Sequence, residues 1–185
     1  MHVWRVSASL GFSIDSLPWR VKSSTISPRW RYDNLLMSIG LIMTTQRVGP
    51  HFELALMQQA QQRGLEGLAE IARRITVGMT EEQAVTMALD VLHALGAETH
   101  WHPPIIRFGA NTCKIYSEAS DPAIELQAND LFFIDLGPVF QGHEADIGAT
   151  FTVGDAPEHQ ACAAAVAEIF QRVSSHWQRD RKSVV

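Results

Sequence analysis

The chain has 185 residues and a net charge of -5, and its composition is 46% hydrophobic and 19% charged. These values are ordinary for one soluble domain, and the slight acidity gives no reason to expect a nucleic acid as a partner. No apolar run is long enough to cross a bilayer, and two cysteines do not make a disulfide framework. We therefore expect a cytoplasmic protein with reduced thiols and no membrane partner.

The segment 1–42 reads differently from the rest of the chain. It is basic and rich in Ser and Trp, and it has neither a sustained helical period nor a strand period. One interpretation is a targeting presequence. The other, which we favour, is that translation begins at Met43 and that the segment is upstream DNA read as protein. No function is assigned to this doubtful leader.

Two amphipathic helices are predicted next. Apolar residues recur at helical spacing from His51 to Ile75, and Gly78 can end this first helix. Thr80 to Gln83 has the pattern of a capping box, which predicts the start of a second helix that closes at Gly96. Both stripes are typical of helices that pack on a core.

Strands follow the helices. Short strands are predicted at 98–101 and 105–108, and an antiparallel hairpin is predicted from segments 131–140 and 146–153. A third helix is predicted from Pro157 onward. This order predicts an α+β fold in which helices pack on one face of an antiparallel sheet.

Each strand of the hairpin carries one aspartate within apolar sequence. If the turn is centred on Phe140 and Gln141, Asp135 lies directly opposite Asp146, with about 5 Å between the Cβ atoms. Two ionised carboxylates in apolar surroundings repel each other unless a cation lies between them or they share a proton. The pair therefore predicts a metal site. A register shifted by one residue, with one Asp in solvent, is the alternative, and a calcium loop is a weaker one.

The same residues resemble a known motif. The pattern Asp135-x-Gly137, Gly142, Asp146, Thr150-Phe151 and Val153-Gly154 is similar to the first metal-ligand motif of the pita-bread metallopeptidases, a group that includes Xaa-Pro aminopeptidase, methionine aminopeptidase, prolidase and creatinase. The segment from His102 to Thr112 resembles the preceding strand of the Xaa-Pro aminopeptidase branch. The resemblance covers roughly Glu53 to Trp177 and implies the N-terminal half of a pita-bread fold.

The resemblance also implies a cofactor and roles for four residues. Asp135 would chelate one divalent ion and Asp146 would bridge two, with Mn, Co, Fe or Zn as the metal in the intact parent. His102 and Thr150 are candidate substrate-binding residues. For His102 the alternative is an ordinary packed or surface histidine.

The chain also departs from the family pattern. The substrate-binding His of the family falls near Ser117, and the Arg that often precedes Thr-Phe is Ala149. The remaining family ligands, one His and two Glu, come from strands beyond residue 154, where no matching motif follows. We therefore expect 43–179 to be a partial catalytic domain of a C-terminally truncated member, and 180–185 to be an artefactual tail. A genuine short protein is the rival interpretation.

The resemblance implies a metal-dependent aminopeptidase. The intact parent would hydrolyse N-terminal peptide bonds, including Xaa-Pro bonds, with a metal-activated water, and would form a homodimer. A peptide is the expected substrate, and we expect this chain to be inactive as it stands. The alternatives are a non-catalytic binding scaffold and a creatinase-like hydrolase of C–N bonds.

Overall fold

The computed structural model describes the backbone of residues 5–6 and 51–179 and the side chains of 51–177. The remainder of the predicted leader and the predicted tail at 180–185 lie outside the described residues. The helices are α1 (Leu54–Arg74), α2 (Glu81–Ala94) and α3 (Pro157–Arg179), and a 3₁₀ helix spans Gly109–Cys113. The strands are β1 (Arg5–Val6), β2 (Thr99–Phe108), β3 (Asp130–Phe140), β4 (His143–Glu144) and β5 (Ile147–Val153).

The start of α2 has the local interactions that its sequence predicts. The Gln83 backbone N–H donates to Thr80 Oγ1 at 3.3 Å, and the Thr80 N–H donates to Gln83 Oε1 at 3.0 Å. This reciprocal capping satisfies two of the backbone donors that a helix start leaves free. The capping box is therefore confirmed.

The strands form one antiparallel sheet in the order β1-β5-β3-β2, and the short β4 also pairs with β3. Alternate residues of β3 and β5 point to one face and pack beneath α1 and α2 as the core, including Phe132, Ile134 and Phe151. Helix α1 approaches this face closely at Gly64, where an added Cβ atom would lie only 2.7 Å from Ile147 Cγ1. The predicted α+β class with an antiparallel sheet is confirmed, but α3 lies against the opposite face of the sheet from α1 and α2.

The other face of the hairpin carries the polar positions. Asp135 of β3 and Thr150 of β5 line a cavity of about 300 Å³, whose opposite wall is formed by Ala163 and Phe170 of α3. Along α3, Ala163 is buried, whereas a stripe of larger apolar side chains is exposed. The exposed side chains are Val166, Ile169, Phe170, Val173 and Trp177. Within the described residues, no helix is long and apolar enough to cross a membrane.

Candidate metal centre

A two-residue turn sets the register of the hairpin. Gln141 and Gly142 have φ angles of 52° and 70°, as the favoured tight hairpin turn requires at both central positions. Both of their backbone amides donate to the Glu98 carboxylate, at 3.2 and 3.3 Å. The Glu98 side chain therefore helps to fix where the chain reverses.

The predicted pairing of Asp135 with Asp146 is wrong. Asp135 pairs with Gly148, and the pairs on either side of Asp146 place it opposite Gly137. The turn lies one residue later than the prediction assumed, and this shifts the register by two residues. Because side chains alternate with a period of two, Asp146 keeps the same face as Asp135 and becomes its diagonal neighbour.

Irregularities in β2 bring a histidine to the same place. The two predicted short strands are one continuous strand, whose register shifts on both sides of His102. His102 pairs with Gly137, and Ile105 pairs with Asp135. Pro103 and Pro104 lie within the second irregularity, and prolines are tolerated there because bulges do not need every backbone N–H.

The three side chains converge into one cluster. His102, Asp135 and Asp146 each offer a ligand atom, and these atoms all lie within 4.8 Å of one another. His102 Nε2 lies 3.6 Å from Asp135 Oδ1. No other cluster of three or more such residues occurs in the part of the chain that the structure describes. One imidazole and two carboxylates are a donor set that suits a divalent cation.

The Asp135 carboxylate is partly buried and lies near the negative charge of Asp146. Partial burial raises the pKa of Asp135, a protonated His102 ring would oppose that rise, and the negative charge of Asp146 adds to it. A cation between the two carboxylates would remove this repulsion.

Two further residues position the cluster, and the sequence analysis missed both roles. The Trp101 Nε1–H donates to the Ala145 carbonyl at 2.9 Å, directly before Asp146 in the chain. The Trp101 ring meets the His102 ring edge to face, with 4.2 Å between centroids. A Cβ atom on Gly137 would lie 2.5 Å from His102 Cδ2 and 2.8 Å from Trp101 Nε1. A glycine inside a strand signals such a close approach, and this signal was available in the sequence.

The remaining predicted residues are spread around the cluster. Thr150 lies on the same face as Asp135 and lines the cavity beside it. Ser117 lies in an exposed loop, which the buried Arg107 holds by donating to the carbonyls of Lys114 and Glu118 at 2.7 and 2.8 Å. The substrate-binding roles of His102 and Thr150, and the metal-binding roles of both aspartates, stay predictions.

Comparisons with known proteins concern the family and the fold. The model of metallopeptidase family M24 matches residues 55–182. A prolidase from Pyrococcus horikoshii OT3 is 27% identical with a TM-score of 0.53, and the match covers 59% of this chain and 31% of that one. An X-Pro aminopeptidase from Thermotoga maritima MSB8 is 24% identical with the same TM-score of 0.53 and the same coverage of 59% and 31%.

A third solved structure is similar, and the coverage of all three is partial. Proline aminopeptidase P II from Yersinia pestis is 25% identical with a TM-score of 0.50, over 57% of this chain and 24% of that one. The chain thus spans about a third or less of each of these solved structures. A search of curated proteins found no match. Since the family model matches well over half of the chain, the protein belongs to metallopeptidase family M24.

Proposed function

We propose that this chain carries the metal-binding and peptide-contacting part of a metal-dependent aminopeptidase that acts on Xaa-Pro peptides. The convergence of His102, Asp135 and Asp146 beside an open cavity carries the proposal. Family membership and the similarity to a prolidase support the substrate class.

The proposed mechanism divides the work between the ion and the side chains. A bound Mn, Co, Fe or Zn ion supplies a Lewis acid and a water of lowered pKa. Asp135 on β3 and Asp146, directly before β5, would hold the metal, and the antiparallel pairing of β3 with β5 sets their separation. The cavity of about 300 Å³ beside Asp135 receives the N-terminal part of the peptide, with Thr150 at its wall.

We propose further that the chain by itself does not turn peptides over. Helix α3 carries His159 and Glu168, which are residue types that could bind a metal. Within the described residues, neither they nor any other His or Glu of α3 belongs to the cluster. A two-metal hydrolytic site needs both ions clamped by several ligands. The number of ligands present here supports ion binding better than it supports two-metal chemistry.

The test combines peptide binding with hydrolysis. The purified chain, loaded with Mn, Co, Fe or Zn in turn, is mixed with an Ala-Pro peptide and with a matched Ala-Ala peptide. We expect metal-dependent binding that favours Ala-Pro, loss of that binding in Asp146→Ala, and no cleavage. Equal binding of both peptides would refute the Xaa-Pro assignment. Cleavage that Asp146→Ala abolishes would refute the proposed inactivity.

A binding scaffold is the second candidate function. It is favoured by Ser117 and Ala149, which stand where the family pattern has a His and an Arg. A scaffold would bind its peptide equally well in a chelator, so the same experiment separates it from the enzyme. A creatinase-like C–N hydrolase would instead bind a small amidino or N-methyl amino acid in place of either peptide.

A further inference from the structure

The tautomer of His102 is fixed by its neighbour. His102 Nδ1 lies 2.8 Å from the Pro103 carbonyl oxygen, and a carbonyl can only accept, so Nδ1 carries the proton and donates it. In the neutral ring, this leaves the lone pair of Nε2 on the side of Asp135. Metal-binding histidines have this arrangement, because a hydrogen bond from the other ring nitrogen orients the ring and makes the ligand nitrogen more basic.

The ring is also held in place from two sides. The His102 side chain is only 10% exposed, whereas that of Asp135 is 41% exposed. Trp101 packs against the ring edge to face, and the missing side chain of Gly137 leaves the space that the ring fills. A ligand held in this way loses little conformational freedom when it binds an ion.

The distances fit a shared ion better than a direct contact. The separation of 3.6 Å between His102 Nε2 and Asp135 Oδ1 is too long for a hydrogen bond. Two ligand atoms that each lie about 2.1 Å from a tetrahedral ion are roughly 3.4 Å apart. The pair of His102 Nε2 and Asp135 Oδ1 therefore needs an adjustment of only a few tenths of an ångström to share a metal, and the ligand atoms of all three residues lie within 4.8 Å of one another.

We propose that His102 Nε2 is a third metal ligand, so that His102, Asp135 and Asp146 hold one divalent ion without any further residue. The imidazole shifts the preference from Mg and Ca toward Zn, Co or Fe. Three protein ligands leave at least one position open for water, as in catalytic zinc sites. This assignment replaces a substrate-contacting role for His102. It rests on the metal dependence of the proposed function and not on peptide specificity.

Zinc binding to the full chain tests the proposal directly. The 185-residue protein, freed of metal with a chelator and then dialysed, is titrated with ZnCl₂ by calorimetry, and its histidine ring nitrogens are followed by long-range ¹H–¹⁵N NMR. We expect one Zn per chain, a large shift of His102 Nε2 and a His102 Nδ1 that stays protonated. His102→Phe keeps the ring contact with Trp101 and should weaken zinc binding at least about tenfold. His93→Ala, at an exposed position of α2, is the matched control and should bind zinc like the wild type.

The possible failures are distinguishable. Wild-type zinc affinity in His102→Phe, or His102 ring signals that do not move when zinc binds, would overturn the assignment and leave an aspartate-based site standing. A folded wild-type chain that binds no zinc would overturn it as well, together with the metal dependence of the proposed function. Failure of the Ala-Pro peptide to bind the zinc-loaded chain would affect the proposed function alone.

Discussion

Replacing Gly137 by alanine should damage the metal centre without touching any ligand. The new Cβ atom would lie 2.5 Å from His102 Cδ2 and 2.8 Å from both His102 Nε2 and Trp101 Nε1. Carbon atoms in contact are normally about 3.5 to 4.0 Å apart, so the His102 ring has to move by roughly 1 Å or more. Gly137 is not among the residues with positive φ, so alanine meets no backbone strain there.

The expected magnitude follows from this overlap. Overpacking of this kind costs about 1 to 3 kcal/mol of the free energy of unfolding. A displacement of 1 Å also moves Nε2 outside the tolerance of about 0.5 Å that a functional constellation allows. We therefore expect zinc affinity to fall at least about tenfold, which corresponds to about 1.4 kcal/mol of binding free energy.

Gly148→Ala is the matched control, because Gly148 lies opposite Asp135 on the neighbouring strand. A Cβ atom there would lie 3.4 Å from the Ile134 carbonyl oxygen and 4.0 Å from Asp135 Oδ1, which are close to ordinary contacts. Calorimetric zinc titrations and urea melts of both variants are the assay, with the melts done in a chelator. If Gly137→Ala binds zinc as tightly as Gly148→Ala, the position of the His102 ring does not depend on the missing side chain of Gly137.

Three further changes test the same region. Asp135→Asn removes one charge of a like-charge pair, so it should stabilise the metal-free chain by up to about 1 kcal/mol in a urea melt with chelator and should weaken zinc binding. Destabilisation in chelator would show that Asp135 has a protein partner instead. Zinc at a hundredfold excess over its Kd should raise the free energy of unfolding by about 2.7 kcal/mol, a gain that excess chelator must abolish if the site is real. Trp101→Phe removes the hydrogen bond to Ala145 and should cost about 1 kcal/mol of stability with a measurable loss of zinc affinity; an unchanged zinc titration would show that the bond does not position Asp146.

The helices and the common face of the aspartates follow from sequence patterns that small errors do not disturb. The capping box at Thr80 fixes the start of α2 through local hydrogen bonds. The face that an aspartate occupies depends only on the parity of its position, so Asp135 and Asp146 converge although their predicted pairing was wrong. The exact register depends on a single turn residue, and a pattern of strand residues does not specify it.

The position of His102 was harder to predict. It depends on two irregularities in β2, each of which shifts the pairing with β3 by one residue. Pro103 and Pro104 signal a disturbance, but sequence alone does not give its size or the direction in which the ring turns. The role of Trp101 depends on a contact with Ala145 that is 44 positions away in the chain, so no local pattern contains it.

The two prolines of β2 also bear on how copies of this chain can meet. Pro103 and Pro104 carry no backbone N–H, so neither can donate a hydrogen bond to a strand that joins β2 from the outside. An incoming strand that paired with the outer side of β2 would lack a hydrogen bond beside the metal centre. Evolution uses proline in this way to protect sheet edges from joining other chains. The backbone that places His102 therefore also discourages fibril-like stacking at the mouth of the site.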